Sequence, residues 1–335
     1  KKLRNDFIES GYLNNPIFRQ AYLMYFTTCN FLKIHYPLSE IARSGSFKNK
    51  KKLKLLDLGC GTGTLIYGVA FWCAQNYPGT EIEFTALDQS DESLKDFEID
   101  FRSFDFPYTL SCHTHDLERT FELEERYDLI VGANFLNELS DGGRENVLAN
   151  LKKHLAQDGF VILIEPALLE TSRMLLEFRD RAVGQGWSVY APCFTQKMCP
   201  ALINENDWCH HDWPWERPKF IEVIDELIGN IKKSLKFSYV VLSKNDAHVS
   251  DFTGGRNFHE QFRVVSELFK EKGRKRIFLC NDLGRKEFVK NNRDDSESNS
   301  VFDQMERYDV VQIKPFEIRK NDVKVLEKTE VVKLN

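Results

Sequence analysis

Leu53-Lys54-Leu55-Leu56-Asp57-Leu58-Gly59-Cys60-Gly61-Thr62-Gly63-Thr64 decides the fold. Leu53, Leu55, Leu56 and Leu58 form a short apolar run, as a strand buried on both faces of a parallel sheet requires. Asp57 falls at the carboxyl end of that strand. Gly59, Gly61 and Gly63 then make a loop almost without side chains, which can turn sharply and approach a ligand closely. Thr64 and residues 65–74 read as a helix leaving the loop. Strand, glycine loop and helix N-terminus in this order form a nucleotide-type site. The alternative is a tight strand-to-helix turn with no ligand.

The glycines follow G-x-G-x-G, neither the dinucleotide G-x-G-x-x-G nor the phosphate loop G-x-x-x-x-G-K, and no Lys-Ser or Lys-Thr follows, so a triphosphate site is not expected. An acid just before the glycines, as Asp57 is here, resembles motif I of class I S-adenosylmethionine (SAM) methyltransferases. The resemblance implies SAM at Asp57, Gly59, Cys60, Gly61 and Gly63.

Outward from the loop, residues 53 to about 165 alternate strand and helix, which predicts a doubly wound parallel sheet. The second strand, Ile82 to Leu87, ends in Asp88, a carboxylate placed for the two ribose hydroxyls of an adenosine ligand. Ser90 caps the next helix, with Asp91 and Glu92 in its first turn. Tyr108 to Cys112 is the third strand. Asp116 lies just past it, either against adenine, as in methyltransferases of this class, or as an exposed loop acid. Asp128 to Gly132 is the fourth strand and runs into Ala133-Asn134-Phe135-Leu136-Asn137-Glu138. Asn134, Asn137 and Glu138 are expected to shape the pocket floor, Asn134 against the cofactor. The segment is not Asn-Pro-Pro-Tyr and holds no cysteine nucleophile, so the catalytic base is unassigned. Phe160 to Ile164 is the fifth strand, followed by Glu165-Pro166.

With 335 residues the chain has room for two or three domains. The net charge of −5 announces no global basic field for nucleic acid. No apolar run approaches a membrane span. Eight cysteines without a visible secretory signal point to a reducing compartment. A cytoplasmic monomer is expected, or a protein of the mitochondrial matrix if the source is eukaryotic.

Residues 1–50 read as helical, with Asn15 as N-cap and Pro16 at the first helical position. Ile17, Ala21, Met24, Thr28, Phe31 and Leu32 recur at helical spacing, and Pro37 is expected to stop the run. The segment is a helical cap on the sheet or a substrate lid. Lys48, Lys50, Lys51, Lys52 and Lys54 form a basic run, either a solvated flank or an RNA backbone contact.

After residue 165 one more helix, Leu168 to Val183, precedes a change of pattern. Ala191-Pro192-Cys193, Met198-Cys199-Pro200 and Asp207-Trp208-Cys209-His210-His211 place three cysteines within seventeen residues, in a loop rich in proline and tryptophan. A thiolate-loving ion fits them, though the spacing matches no zinc finger. Inert core thiols are the alternative. The fourth ligand comes from elsewhere, with Cys280 first and His210 or His211 next. Cys29, Cys60, Cys73 and Cys112 sit inside regular patterns and read as buried small residues.

The order of helical segment, SAM loop, Glu165-Pro166, Ala-Pro-Cys, Cys-Pro, Asp-Trp-Cys-His and a late Leu-Cys resembles the mitochondrial ribosomal small-subunit assembly protein family of methyltransferase-like proteins, over roughly residues 4–290. The resemblance implies a [4Fe–4S] cluster on Cys193, Cys199, Cys209 and Cys280, with zinc as the other ion four thiolates suit. It also implies contact with small-subunit rRNA or a ribosomal protein, in methylation or in assembly. Many members carry a modified glycine loop, whereas Asp-Leu-Gly-Cys-Gly-Thr-Gly here is standard. The Cys199–Cys209 stretch is slightly long for the family.

The C-terminal part is strand-rich: 237–242, 262–265, 276–280, 286–289, 310–313, 323–326 and 331–334. Gly273, Gly284 and Asn321-Asp322 mark turns. A small barrel of the oligonucleotide-binding (OB) type is expected. Residues 291–300 read as a mobile loop. Lys272, Arg274, Lys275, Arg276, Arg285 and Lys286 form a basic patch, for rRNA phosphate or as solvated strand ends.

The expected fold class is α/β: a Rossmann-like SAM methyltransferase sheet, 51–190, with a helical cap, 1–50. A Cys-rich metal loop and helix, 191–236, and a β-rich domain, 237–335, follow. The metal is expected to tie the methyltransferase domain to the barrel.

Overall fold

The computed structural model describes residues 15–252 and 258–334. Residues 1–14 of the expected helical segment lie outside them. The chain divides into two compact units, Lys1–Glu165 with Trp213–Phe237, and Pro166–Asp212 with Ser238–Asn335. This division cuts the chain differently from the sequence boundaries drawn at 190 and 236.

In the first unit, β1 (Lys52–Leu58), β2 (Glu81–Asp88), β3 (Tyr108–Thr114), β4 (Tyr127–Ala133) and β5 (Leu155–Pro166) are parallel in the order 3-2-1-4-5. Leu55 stands opposite Phe84 on one side and Leu129 on the other, all buried. Being central, β1 is buried and apolar at Leu53, Leu55, Leu56 and Leu58, as a strand covered on both faces requires. The crossover helices are α3 (Thr64–Asn76), α4 (Asp91–Phe101) and α5 (Asp141–His154). Ser90 and Ser140 cap α4 and α5, accepting from Ser93 and Gly143 backbone N–H groups at 3.2 and 3.0 Å.

The N-terminal helical segment starts with α1 (Pro16–Tyr22), where Asn15 accepts the Ile17 N–H at 3.0 Å. It passes through a π turn, Leu23–Thr27, and continues to α2 (His35–Ala42). Pro37 does not stop the run. It sits in the first turn of α2, where its missing N–H costs little. Tyr25 and Cys29 pack on Ile221 of α7 (Lys219–Ile228). The Tyr25 hydroxyl donates to Asp225 Oδ1 at 2.6 Å and accepts from Asn230 at 2.7 Å. The basic run is met by acids: Lys50 pairs with Asp128, Lys52 with Glu83 and Lys54 with Glu125. Cys29, Cys60 and Cys73 are buried, whereas Cys112 on β3 is partly exposed.

In the second unit, α6 (Leu169–Gly184) leads to β6 (Ser188–Ala191), and the short strand β7 (His211–Pro214) begins in it. β6 pairs antiparallel with β8 (Ser234–Ser243), so the strand expected at 237–242 is not part of the barrel. The barrel uses β9 (Gln261–Val264), β10 (Phe269–Glu271), β11 (Arg274–Asn281), β12 (Gly284–Asn291), β13 (Val310–Ile318) and β14 (Val323–Lys333). Its order is β10-β11-β12-β14-β13-β9, and a β9–β11 pairing closes five of the strands into a ring. β12 and β14 run parallel, while the other pairs are antiparallel. Phe262, Ile277, Leu279, Phe288, Phe302 and Val325 fill the interior. Truncating Phe288 to alanine there costs about 3–5 kcal/mol.

Residues 291–300 are ordered into two 3₁₀ turns, Asn292–Asp294 and Glu297–Gln304. Ser296 and Asn299 form a capping box on the second, a pattern hidden in what composition reads as a polar loop. The basic patch is largely neutralised. Arg274 and Arg276 reach Glu271 at 2.7 and 2.5 Å, Lys275 reaches Asp303 at 2.5 Å and Arg285 reaches Asp207 at 2.6 Å. Among the described residues, no helix is long and apolar enough to cross a membrane.

Candidate active site

At the carboxyl ends of β1, β2 and β4 the first unit encloses a cavity of about 160 Å³. Asp57, Gly59, Cys60, Gly61, Asp88, Asp116, Asn134 and Glu138 line it, with Tyr22, Gln89, His115, Glu118 and Phe135. Asp57 is 1 % exposed, and among the described residues neither of its oxygens has a hydrogen-bond partner. Burial, and then the nearby Asp88 charge, raise its pKa well above the usual carboxylate range. A buried carboxylate without a donor is costly unless a ligand supplies one.

Asp88, the last residue of β2, is also buried. Its Oδ2 accepts the Gly61 N–H at 2.8 Å and its Oδ1 the Ser90 N–H at 2.9 Å. Burial raises its pKa, and these backbone bonds pull the other way. Burial also pushes the Cys60 thiol well up, reinforced by Asp57 and Asp88.

The loop conformation is what demands glycine. Gly63 has φ +78°, and a Cβ there would lie 2.0 Å from the Phe97 ring. Gly61 has φ +52° with nothing within 4 Å of an added Cβ. Gly63 is therefore needed for packing, whereas Gly61 keeps the cavity open. Gly63 does not line the cavity. The N-terminal helical segment is tied to the loop, since Thr27 Oγ1 lies 2.9 Å from Thr62 Oγ1 and 3.1 Å from Thr64 Oγ1. Tyr22, at the start of the π turn, is a cavity residue. π turns inside helices recur at functional sites.

At the end of β4, Asn134 holds φ +58°, an uncommon conformation for a residue with a side chain, and its N–H donates to Ile164 O at 2.9 Å. Glu138 is raised in pKa by burial and then by Asp88. Asn137 corrects the expectation of a pocket-floor residue. It does not line the cavity, and its amide donates to Glu165 Oε2 at 2.8 Å. Glu165 also accepts the Leu136 N–H at 3.0 Å, and its burial pushes the pKa up to about 8. This pair fixes the β4 loop from beneath. Asp116 accepts the Glu118 N–H at 3.0 Å while lining the cavity.

Tyr22, Gln89, His115, Glu118 and Phe135 were not singled out by sequence. Gln89 and His115 directly follow strands, where the ligand rule for open α/β sheets would have found them. No local signal marks Tyr22. Among the described residues, no Lys or Arg lines the cavity. The arrangement can hold hydroxyls and positive charge, and is unfavourable to phosphate.

In the second unit, Cys193, Cys199, Cys209 and Cys280 line one cavity of about 40 Å³, together with Arg179, Arg263, Arg285 and Tyr308. The Cys199 N–H donates to Asp180 Oδ2 at 2.9 Å, and Cys209 Sγ lies 3.3 Å from the Tyr308 hydroxyl. Burial raises the thiols of Cys193, Cys199 and Cys280, and Arg179 opposes this at Cys193. Neither His210 nor His211 lines this cavity. His211 stacks on Tyr308 with centroids 4.5 Å apart, and His210 on Trp208. Among the described residues, no three His, Cys, Asp or Glu side chains stand together closely enough to hold a metal ion. All four cysteines belong to the same unit, so the expectation that a metal would tie two domains together is corrected. Loop cysteines and a barrel cysteine are neighbours within one body.

A parallel sheet in the order 3-2-1-4-5 with acids and a glycine loop at its carboxyl edge is the Rossmann-like arrangement of class I SAM methyltransferases. The chain belongs to the family described as Mitochondrial small ribosomal subunit Rsm22, which matches residues 18–296. No curated protein sequence matches it. Among solved structures it is similar to a candidate class I SAM-dependent methyltransferase (lmo1582) from Listeria monocytogenes, at 12 % identity and TM-score 0.41, covering 62 % of this chain and 58 % of that one. It is similar to TehB from Haemophilus influenzae, at 16 % and 0.38, covering 61 % and 62 %. It is also similar to the glycopeptide N-methyltransferase MtfA complexed with SAM, at 14 % and 0.37, covering 62 % and 87 %. The chain thus spans about three fifths of the length of the first two.

Proposed function

We propose that the chain binds SAM in the cavity of the first unit and transfers its methyl group to rRNA or a ribosomal protein of the small subunit. The observation that carries this is the unpartnered, buried carboxylate of Asp57 beside Asp88, at the end of adjacent strands and across the Gly59–Gly63 loop. Asp88 would take the ribose hydroxyls, Asp116 and Asn134 the adenine side, and the loop backbone from Gly59 to Gly63 the amino-acid end. Glu138 is the acid left at the end of β4 to face an acceptor, because Asn137 and Glu165 hold each other. Membership in a small-subunit family supplies the acceptor class, and the word mitochondrial in its description supports the matrix location over the cytoplasm.

The second unit would serve recognition. A five-stranded ring in which the third and fifth members run parallel supports the oligonucleotide-binding type of barrel. With most of the basic patch paired, Lys272 and Lys286 are, among the described residues, the patch's cations left for phosphate. We place a four-cysteine iron–sulfur site on Cys193, Cys199, Cys209 and Cys280. Four cysteines lining one cavity support it, and the family resemblance carries iron–sulfur over zinc. When bound, such a cluster supplies cross-links between the loop and β11. The chain's own part is to present thiols, with Arg179 and Arg263 beside them as counter-charge.

The competing reading is an assembly factor without turnover, favoured by the commitment of Asn137 to Glu165 in place of the acceptor. Tritiated methyl transfer from SAM to small subunits isolated from cells lacking the protein separates the two. Label appearing on rRNA or one protein supports the enzyme. Unlabelled subunits that nevertheless bind the chain support the assembly factor.

A further inference from the structure

We propose that the cavity of the first unit selects its ligand by positive charge, so that it holds SAM more tightly than the demethylated product S-adenosylhomocysteine. This rests on the assignment of SAM to that cavity and adds to it a direction of discrimination.

Among the described residues, five carboxylates line the cavity: Asp57, Asp88, Asp116, Glu118 and Glu138. Asp116 has Arg119 at 3.7 Å. Glu118 is satisfied by the Ser140 N–H and hydroxyl at 2.7 and 2.6 Å, with Arg144 acting on it from further off. Among the described residues, no cation acts on the remaining three. What raises Asp57 is burial and Asp88; what raises Glu138 is burial and Asp88; Asp88 is eased only by backbone N–H groups. Three acids with no cation among the described residues, around a cavity walled by Phe135, Leu65 and Leu139, resist being ionised together until a positive charge enters. Asp57 adds an independent sign of a missing partner, since it is 1 % exposed with both oxygens unpaired.

SAM carries an ammonium, a carboxylate and a sulfonium, net one positive charge. S-adenosylhomocysteine lacks the sulfonium charge and is neutral overall. On methyl transfer to an acceptor N–H, the S–CH₃ bond breaks and its electron pair stays on sulfur. The N–CH₃ bond forms, and the displaced proton leaves to solvent. The cavity thus loses the sulfonium charge at the moment of reaction and keeps only the ammonium, which favours product departure. A single charge near several carboxylates at partial burial is worth about tenfold in affinity.

Titration calorimetry on the full chain with SAM, S-adenosylhomocysteine and sinefungin tests this. Sinefungin replaces the methylsulfonium by an amine, which keeps the charge without the methyl donor. SAM and sinefungin are expected to bind about tenfold more tightly than S-adenosylhomocysteine at low salt. The gap should narrow as salt rises, and shrink to about threefold in Glu138→Gln. S-adenosylhomocysteine binding as tightly as SAM overturns the inference and leaves the SAM assignment standing. Sinefungin behaving like S-adenosylhomocysteine while SAM stays tight also overturns it, because the preference would then be for the methyl group. No heat from any of the three with folded protein overturns the SAM assignment and this inference together.

Discussion

Asp88 Oδ2 accepts the backbone N–H of Gly61 at 2.8 Å, which ties the end of β2 to the middle of the glycine loop of β1. Gly59 and Cys60 donate to Leu87 O at 2.9 and 3.1 Å, so the loop is pinned to β2 at three successive amides. One carboxylate therefore shapes the loop and faces the cavity at once. A residue with both tasks does not tolerate the loss of either.

Asp88→Ala should weaken SAM binding, by roughly 1.5–3 kcal/mol for each charge-assisted hydrogen bond lost to ribose. The variant should also melt earlier, because the Gly61 and Ser90 amides lose their acceptor. Calorimetry showing wild-type SAM affinity in Asp88→Ala would remove Asp88 from the site.

Gly63→Ala and Gly61→Ala should separate folding from binding. At Gly63 the new methyl meets the Phe97 ring at 2.0 Å on a backbone with φ +78°, and strain with overpacking costs about 2–4 kcal/mol. At Gly61 the methyl meets nothing, so only the φ +52° penalty of about 1 kcal/mol applies. Urea unfolding should show Gly63→Ala much the less stable of the two. Ligand titration should show Gly61→Ala as the one that folds yet binds SAM poorly.

Much of this was legible because period and chemistry coincide. The run around Leu55 is apolar because β1 is covered on both faces, and a buried strand followed by glycines has few other fates. Asp57, Asp88, Asp116, Asn134 and Glu138 follow from one rule, that ligands sit beyond the carboxyl ends of parallel strands. Asn137 was misplaced because direction within a short 3₁₀ turn is not a matter of spacing. Its neighbour Glu138 faces the cavity while Asn137 faces Glu165. Pro37 misled because its position in a turn decides whether a proline breaks a helix, and the helix start at His35 has no cap residue to announce it. The basic patch misled for a different reason. Glu271 and Glu287 are local in sequence, but Asp207 and Asp303 are brought to Arg285 and Lys275 only by the fold.

Glu165 makes stability fall as pH rises. Its folded pKa of about 8 lies above the ordinary glutamate value of 4.5. Between those values the folded state binds more protons than the unfolded one, so unfolding free energy declines through that window and levels off above pH 8. Below the ordinary value the group contributes no slope. The loss across the window is on the order of 5 kcal/mol. Glu165→Gln cannot ionise, so its melting temperature should gain on the wild type as pH is raised from mildly acidic to mildly alkaline. Parallel curves for the two proteins would mean that Glu165 is already ionised in the folded state at neutral pH.

Cys280 tests the proposed cluster because its backbone is the best fixed of the four. It lies on β11 opposite Arg285 of β12 and Arg263 of β9, inside a closed ring of strands. Cys193 and Cys209 lie in irregular chain, and Cys199 precedes a single 3₁₀ turn, Pro200–Leu202. Proline at 192, 200, 214 and 218 keeps most of that stretch from forming long regular elements of its own. Bonds from a metal to all four thiolates would fasten this chain to the barrel, and binding free energy would become folding free energy of the second unit. Protein purified without oxygen should be brown, with about four irons per chain. Cys280→Ser should lose most of that iron and melt at lower temperature. Cys112→Ser, on the edge strand β3 of the other unit, should keep the wild-type iron content. Colourless protein with about one zinc per chain would replace the cluster by a closed tetrahedral site on the same ligands. Iron content unchanged in Cys280→Ser would remove Cys280 from the set and leave the other three thiols in need of a different fourth ligand.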